Sequence, residues 1–161
     1  MSAGFARHPI PPVFDAQSRV LVLGSFPSVA SREAGFFYAH PRNRFWRVLG
    51  EVFGEPVPDD VAGRRAYLLA HGVALWDVIA ECEVAGSADA TIRGAVPNDL
   101  SPIFAAAKIG RVFTNGQTAH RLYARHLAPR FGEDVCLPST SPANASWSLE
   151  RLVEAWKAVK I

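Results

Sequence analysis

The sequence predicts an α/β fold, a three-layer α/β/α sandwich around a central parallel four-stranded sheet, and three observations carry that expectation. Short apolar runs recur without polar alternation, as strands covered on both faces require. Segments of helical period separate them, and a helical crossover makes the flanking strands parallel. The chain has 161 residues, enough for one well-buried core and too few for two ordinary ones, so residues 1–161 are expected to form a single domain.

Taken in order, residues 19–23 form an apolar run stopped by Gly24, the first expected strand. Residues 43–53 place Phe45, Trp46, Leu49, Val52 and Phe53 at helical spacing, with Arg44, Arg47 and Glu51 between them. A second helix is expected over 64–71, closed by Gly72. Residues 73–76 read as the second strand. The stretch 82–98 carries Gly86, Ser87, Asp89, Gly94, Pro97 and Asn98, and is expected to be a long irregular connection. A short helix over 100–108 tolerates Pro102 in its first turn. Residues 111–115 are the third strand, 117–126 a helix, and 134–137 the fourth strand. An amphipathic helix over 148–160 closes the chain, capped by Ser146 or Ser148.

Composition excludes several classes. Hydrophobic residues make up 49% and charged residues 20%, the balance of a globular protein rather than a disordered one. No apolar run approaches the roughly 20 residues of a membrane-spanning helix, and the first twelve residues lack the apolar core of a secretory signal. A cytoplasmic protein without a membrane partner is expected. Cys82 and Cys136 have no metal-ligand spacing and read as small buried hydrophobes.

A net charge of +2 is a weak pointer to nucleic acid, but its distribution is uneven. Arg32, Arg42, Arg44 and Arg47 crowd one motif, Arg121 and Arg125 fall at i, i+4 spacing, and acidic residues gather over 51–60 and 77–89. The same charges also suit an ordinary solvated face.

Three segments follow expected strands directly: Gly24-Ser25-Phe26-Pro27-Ser28, Asn115-Gly116, and Ser139-Thr140-Ser141-Pro142-Ala143-Asn144. Ligands of parallel sheets bind outside the carboxyl ends of the strands, so these segments are expected to meet in one crevice. Small residues and hydroxyls there let backbone amides approach a phosphate or sugar closely. Asn115, at the end of the third expected strand, offers an amide donor and an amide acceptor to whatever binds there. Asn-Gly is also an ordinary turn.

Together with Phe36-Phe37-Tyr38-Ala39-His40-Pro41-Arg42-Asn43-Arg44-Phe45-Trp46, these motifs resemble the uracil-DNA glycosylase superfamily, most closely its hypoxanthine-DNA glycosylase branch. The resemblance spans most of the chain. It implies an α/β/α sandwich, no metal, no cofactor, and hydrolysis of the bond joining a deaminated base, uracil or hypoxanthine, to its deoxyribose in DNA. The nucleotide must first rotate out of the stack, at a cost of a few kcal/mol. Ser28, Ser139, Ser141 and Asn144, with His40 and Arg42, are the expected contacts to DNA phosphates or the leaving base. Phe37 is the expected aromatic platform, beside Gly24, Ser25 and Phe26, and Asn115, whose amide complements the lactam edge of a deaminated base, is the expected base reader.

Two departures matter. Better-known uracil glycosylases carry an Asp in the first loop where this chain has Phe26, and a His and a wedging Leu in the second motif where it has Ser139 and Ala143. The resemblance implies Asn43 as the catalytic residue, placing the water through its amide carbonyl while preorganised donors stabilise the leaving group. Asn43 also suits the cap of the following helix. No lysine lies in the motifs, so a monofunctional enzyme leaving an abasic site is expected, and it is expected to be a monomer. The alternative is a nucleic-acid or nucleotide binding module of the same fold. No G-x-S-x-G elbow or dinucleotide motif is present.

Overall fold

A computed structural model describes residues 4–84 and 93–160. Its centre is a four-stranded sheet in the order β3-β2-β6-β7, formed by β2 (Val20–Gly24), β3 (Val73–Asp77), β6 (Arg111–Asn115) and β7 (Val135–Leu137). All its pairings are parallel. β2 is buried throughout. Its residues alternate between two cores: Val20 and Val22 join Phe45, Leu49, Leu68 and Trp156 on one side, while Leu21 and Leu23 join Leu100, Ile103, Tyr123 and Leu127 on the other.

That alternation creates the three layers. One face carries α2 (Phe45–Phe53), α3 (Val61–Ala70) and α7 (Leu149–Trp156); the other carries α4 (Ser101–Ala106) and α5 (Gln117–His126). Helix α2 buries Phe45, Trp46, Val48, Leu49 and Val52, each contributing about 1.5–3 kcal/mol by leaving water. Asp60 caps α3 by accepting the Gly63 N–H at 3.0 Å, so this helix begins before the expected residue 64. Ser148 caps α7, settling the choice between Ser146 and Ser148; the last turn continues as a 3-10 helix over Lys157–Val159.

The main difference from expectation is a second sheet. β1 (Gly4–Arg7), β4 (Ile79–Val84) and β5 (Arg93–Pro97) form an antiparallel sheet in the order β1-β4-β5. Both ends of the expected irregular connection are therefore paired strand, while residues 85–92 lie outside the described residues. Register shifts at Ile79/Glu81 and Glu81/Glu83 scramble the period-two signal that would have announced β4. Two short helices were also unforeseen, α1 (Val29–Ala34) and α6 (Ala128–Phe131). The signals of α1 were present: Ser28 accepts the Ser31 N–H, and Gly35 ends the helix at φ 71°.

Candidate active site

The ends of β2, β6 and β7, with residues 36–43, enclose a cleft of ≈ 1090 Å³. The expected convergence of distant loops is what the fold produces. Gly24 forms the floor, and its missing side chain matters: a Cβ there would lie 2.4 Å from Asp77 Oδ1 and 2.9 Å from the Tyr38 hydroxyl. Gly116 opens α5 at φ 96°, where a Cβ would press to 3.0 Å from that of Ser139. Only glycine lets these two strand ends pack so closely.

Asn43 and Asn115 are far apart in sequence and share one partner. The Thr140 hydroxyl donates to Asn43 Oδ1 at 2.8 Å and accepts from Asn115 Nδ2 at 3.0 Å, while the Thr140 N–H donates to Asn115 Oδ1 at 3.0 Å. Thr140 is fully buried, so its hydroxyl needs both bonds. Asn43 Oδ1 also accepts the Phe45 N–H at 3.0 Å, serving as the expected helix cap. Its carbonyl thus accepts two hydrogen bonds, and the Nδ2 group remains without a protein partner among the described residues. The carbonyl is expected to place water; here that oxygen is engaged by protein donors, and Nδ2 is the part of the amide left to meet a ligand. Asn115 retains one N–H and one lone pair for the same reason.

The second motif spends most of its polar groups on its own shape. Ser139 Oγ accepts the Ser141 N–H, Ser141 Oγ accepts the Ala143 N–H, and Asn144 Nδ2 donates to the Ser139 carbonyl. Arg44 fastens the same loop, its guanidinium donating to the carbonyls of Asn144 and Trp147 and its N–H to the Thr140 carbonyl. Arg44 therefore leaves the expected basic cluster for a structural role. Arg42, Arg47, Arg121 and Arg125 stay exposed.

In the first loop, Ser25 is buried and its carbonyl accepts the Ile79 N–H, while the Ser28 hydroxyl is occupied as the α1 cap. Phe26 is half-buried beneath Arg32, whose guanidinium lies 5.4 Å from the ring centroid. Phe37 reaches the cleft but is 2% exposed and packs against Phe36, so at most an edge of its ring faces a ligand. Tyr38 borders the cleft more openly, stacked on Phe45 at 4.1 Å. Its φ of 52° costs roughly 1 kcal/mol for a residue with a Cβ. His40 is exposed at the rim, and the exposed Arg42 donates its N–H to His40 Nδ1.

Sequence reading missed Thr140 as a partner of both amides and missed the buried pair His8–Asp77. Asp77, assigned from the sequence to an acidic surface cluster, is 3% exposed and lines the cleft. It ends β3 directly opposite Gly24 in the parallel register, and His8 Nε2 lies 2.7 Å from its Oδ2. The apolar run 73–76 stopping at Asp77 was a usable signal, since it marks a strand end, but nothing local pairs it with a residue 69 positions away. Cys136 also lines the cleft, half-buried rather than fully buried, and burial pushes its thiol pKa up. Among the described residues, no three His, Cys, Asp or Glu side chains are grouped as metal ligands, and no helix is long and apolar enough to cross a membrane.

Comparison with known proteins agrees with this geometry. The profile of the Uracil DNA glycosylase superfamily matches residues 11–160. A protein of Methanosarcina acetivorans named hypoxanthine DNA glycosylase is 34% identical over 151 residues, covering 92% of this chain and 94% of its own. Its namesake in Methanosarcina barkeri is 32% identical over 148 residues, covering 91% and 92%. A solution NMR structure from Methanosarcina acetivorans, described as a candidate uracil DNA glycosylase, superposes with a TM-score of 0.79 at 29% identity, covering 98% of this chain and all of that one. With motif order, strand-end placement and near full-length similarity in agreement, the chain belongs to the uracil DNA glycosylase superfamily.

Proposed function

We propose that this protein is a monofunctional DNA glycosylase, active as a monomer, that flips hypoxanthine or uracil out of DNA and hydrolyses its glycosidic bond. The observation that carries this reading is the single cleft in which Asn43 and Asn115 are held by one Thr140 hydroxyl. The extruded base lies beside Gly24, against the Asp77 carboxylate and the Tyr38 hydroxyl that pack over this glycine. The remaining Asn115 N–H donates to the lactam carbonyl of the base. Phe37 and Tyr38 form the aromatic flank. The exposed His40 and Arg42 meet the phosphates at the rim, with hydroxyl protons of Ser139 and Ser141 beside them.

Bond cleavage makes the base negative and the sugar positive. Asn43 Nδ2, oriented by two hydrogen bonds to its carbonyl, donates to the departing base and stabilises its growing charge without reorganising. This assigns Asn43 a leaving-group role, which suits a site whose first loop has Phe26 in place of a carboxylate. The names of the relatives are those of excising enzymes and favour catalysis over a binding module.

The test uses labelled oligonucleotides carrying a single hypoxanthine or a single uracil, followed by alkaline strand scission. We expect excision by the parent and a kcat about 100- to 1000-fold lower in Asn43→Ala, the range for one preorganised donor. Equal cleavage by that variant removes the catalytic assignment of Asn43.

A further inference from the structure

The proposed reading leaves one buried acidic group on the cleft floor without a role. Asp77 and His8 have side chains only 5% and 2% exposed. The His8 ring is boxed by Phe26, Phe37 and Trp76 at centroid distances of 6.0–6.1 Å. Its Nδ1 accepts the Ile10 N–H at 3.2 Å, so the ring carries its proton on Nε2 and donates it to Asp77 Oδ2. That bond fixes the carboxylate and leaves Oδ1 over Gly24, 2.4 Å from where a Cβ would stand. Among the described residues no protein group donates to Oδ1, and Asp77 lines the cleft rather than being sealed away from it.

From this arrangement we infer that Asp77 determines base specificity by accepting the ring N–H of the flipped base through Oδ1, with His8 as the residue that positions it. The inference rests on the proposed glycosylase reading and deepens it. β3 and β6 flank β2, so their ends lie roughly 9 to 10 Å apart, room for one planar base between Asp77 and Asn115. An acceptor at that edge fits hypoxanthine and uracil, which carry a ring N–H beside a carbonyl. Adenine and cytosine place a lone pair there, which a carboxylate oxygen repels. His8 occupies the other oxygen, so the site offers a single acceptor rather than the two-oxygen fork that would favour guanine.

The discriminating variant is Asp77→Asn. Its amide oxygen must turn to the His8 Nε2–H, which points an NH2 donor at the N–H of the base. We expect the ratio of kcat/KM for hypoxanthine to that for unsubstituted purine, which lacks this N–H, to fall on the order of 100-fold. In the double variant His8→Phe/Asp77→Asn the packing ring is kept but the donor is gone, so the amide is free to turn and part of the ratio returns. Free bases competing against the parent enzyme provide a measurement independent of variant folding: hypoxanthine is expected to inhibit at least about tenfold more strongly than purine. An unchanged ratio in Asp77→Asn, or equal inhibition by the two free bases, overturns the assignment of Asp77 while the glycosylase reading stands. Failure of the parent to release either hypoxanthine or uracil overturns both.

Discussion

The two sides of the cleft use polar groups in opposite ways. On the β6–β7 side, Asn43, Asn115, Thr140, Ser139, Ser141 and Asn144 bond mostly to one another, so this side holds its shape without a ligand. On the β3 side, a single buried pair meets the cleft, and one carboxylate oxygen is left to face it. In the proposed reading the first side pre-arranges the donors of Asn43 and Asn115, and the second supplies the acceptor for the ring N–H of the base. The two sides can therefore be damaged separately, and the sharpest experiments act on one side only.

The largest effect is expected at Thr140. Replacing it with the isosteric valine strands Asn43 Oδ1 with one bond fewer and removes the acceptor of Asn115 Nδ2, so Thr140→Val should lose about 3 kcal/mol of stability. Its kcat should fall for hypoxanthine and uracil alike, because the donor of Asn43 is no longer oriented. Thr140→Ser keeps the hydroxyl and should restore kcat. If serine does not rescue, the threonine acts by packing and the contrast between the two sides weakens.

Gly24→Ala comes next and probes the floor between them. The added methyl collides with Asp77 Oδ1, and displacing either should cost about 2 kcal/mol in chemical denaturation. Activity should suffer mainly through KM, since pushing aside Asp77 Oδ1 or the Tyr38 hydroxyl disturbs groups that border the base in the proposed reading. A variant with parental KM would move the base away from Gly24. The smallest effect is expected far from both sides: Ser148→Ala removes the α7 cap, at about 1 kcal/mol, with kcat/KM unchanged. An activity loss there would show that the frame and the cleft are coupled.

Much of the frame was legible because its signals are local. β6 and α5 have the expected bounds, Arg111–Asn115 and Gln117–His126, since an apolar run, a glycine and a helical period follow one another without interruption. The strand-end loops were legible as one site because parallel topology brings carboxyl ends together whatever their separation in sequence. The antiparallel sheet was hidden by irregular register, and Asp77 was misread because an aspartate near other acidic residues looks like surface until its partner is known.

Sequence by itself determined the layers and the strand ends, because helical period, apolar runs and turn residues act over a few positions. Tertiary structure alone decided which way each polar group faces. Thr140 donates to Asn43 Oδ1 across 97 positions and bonds both the Oδ1 and the Nδ2 of Asn115 across 25, and His8 engages Oδ2 of Asp77 across 69. Hydrogen bonding in a buried site depends on which donors and acceptors arrive at about 3 Å, and only the folded chain brings them there.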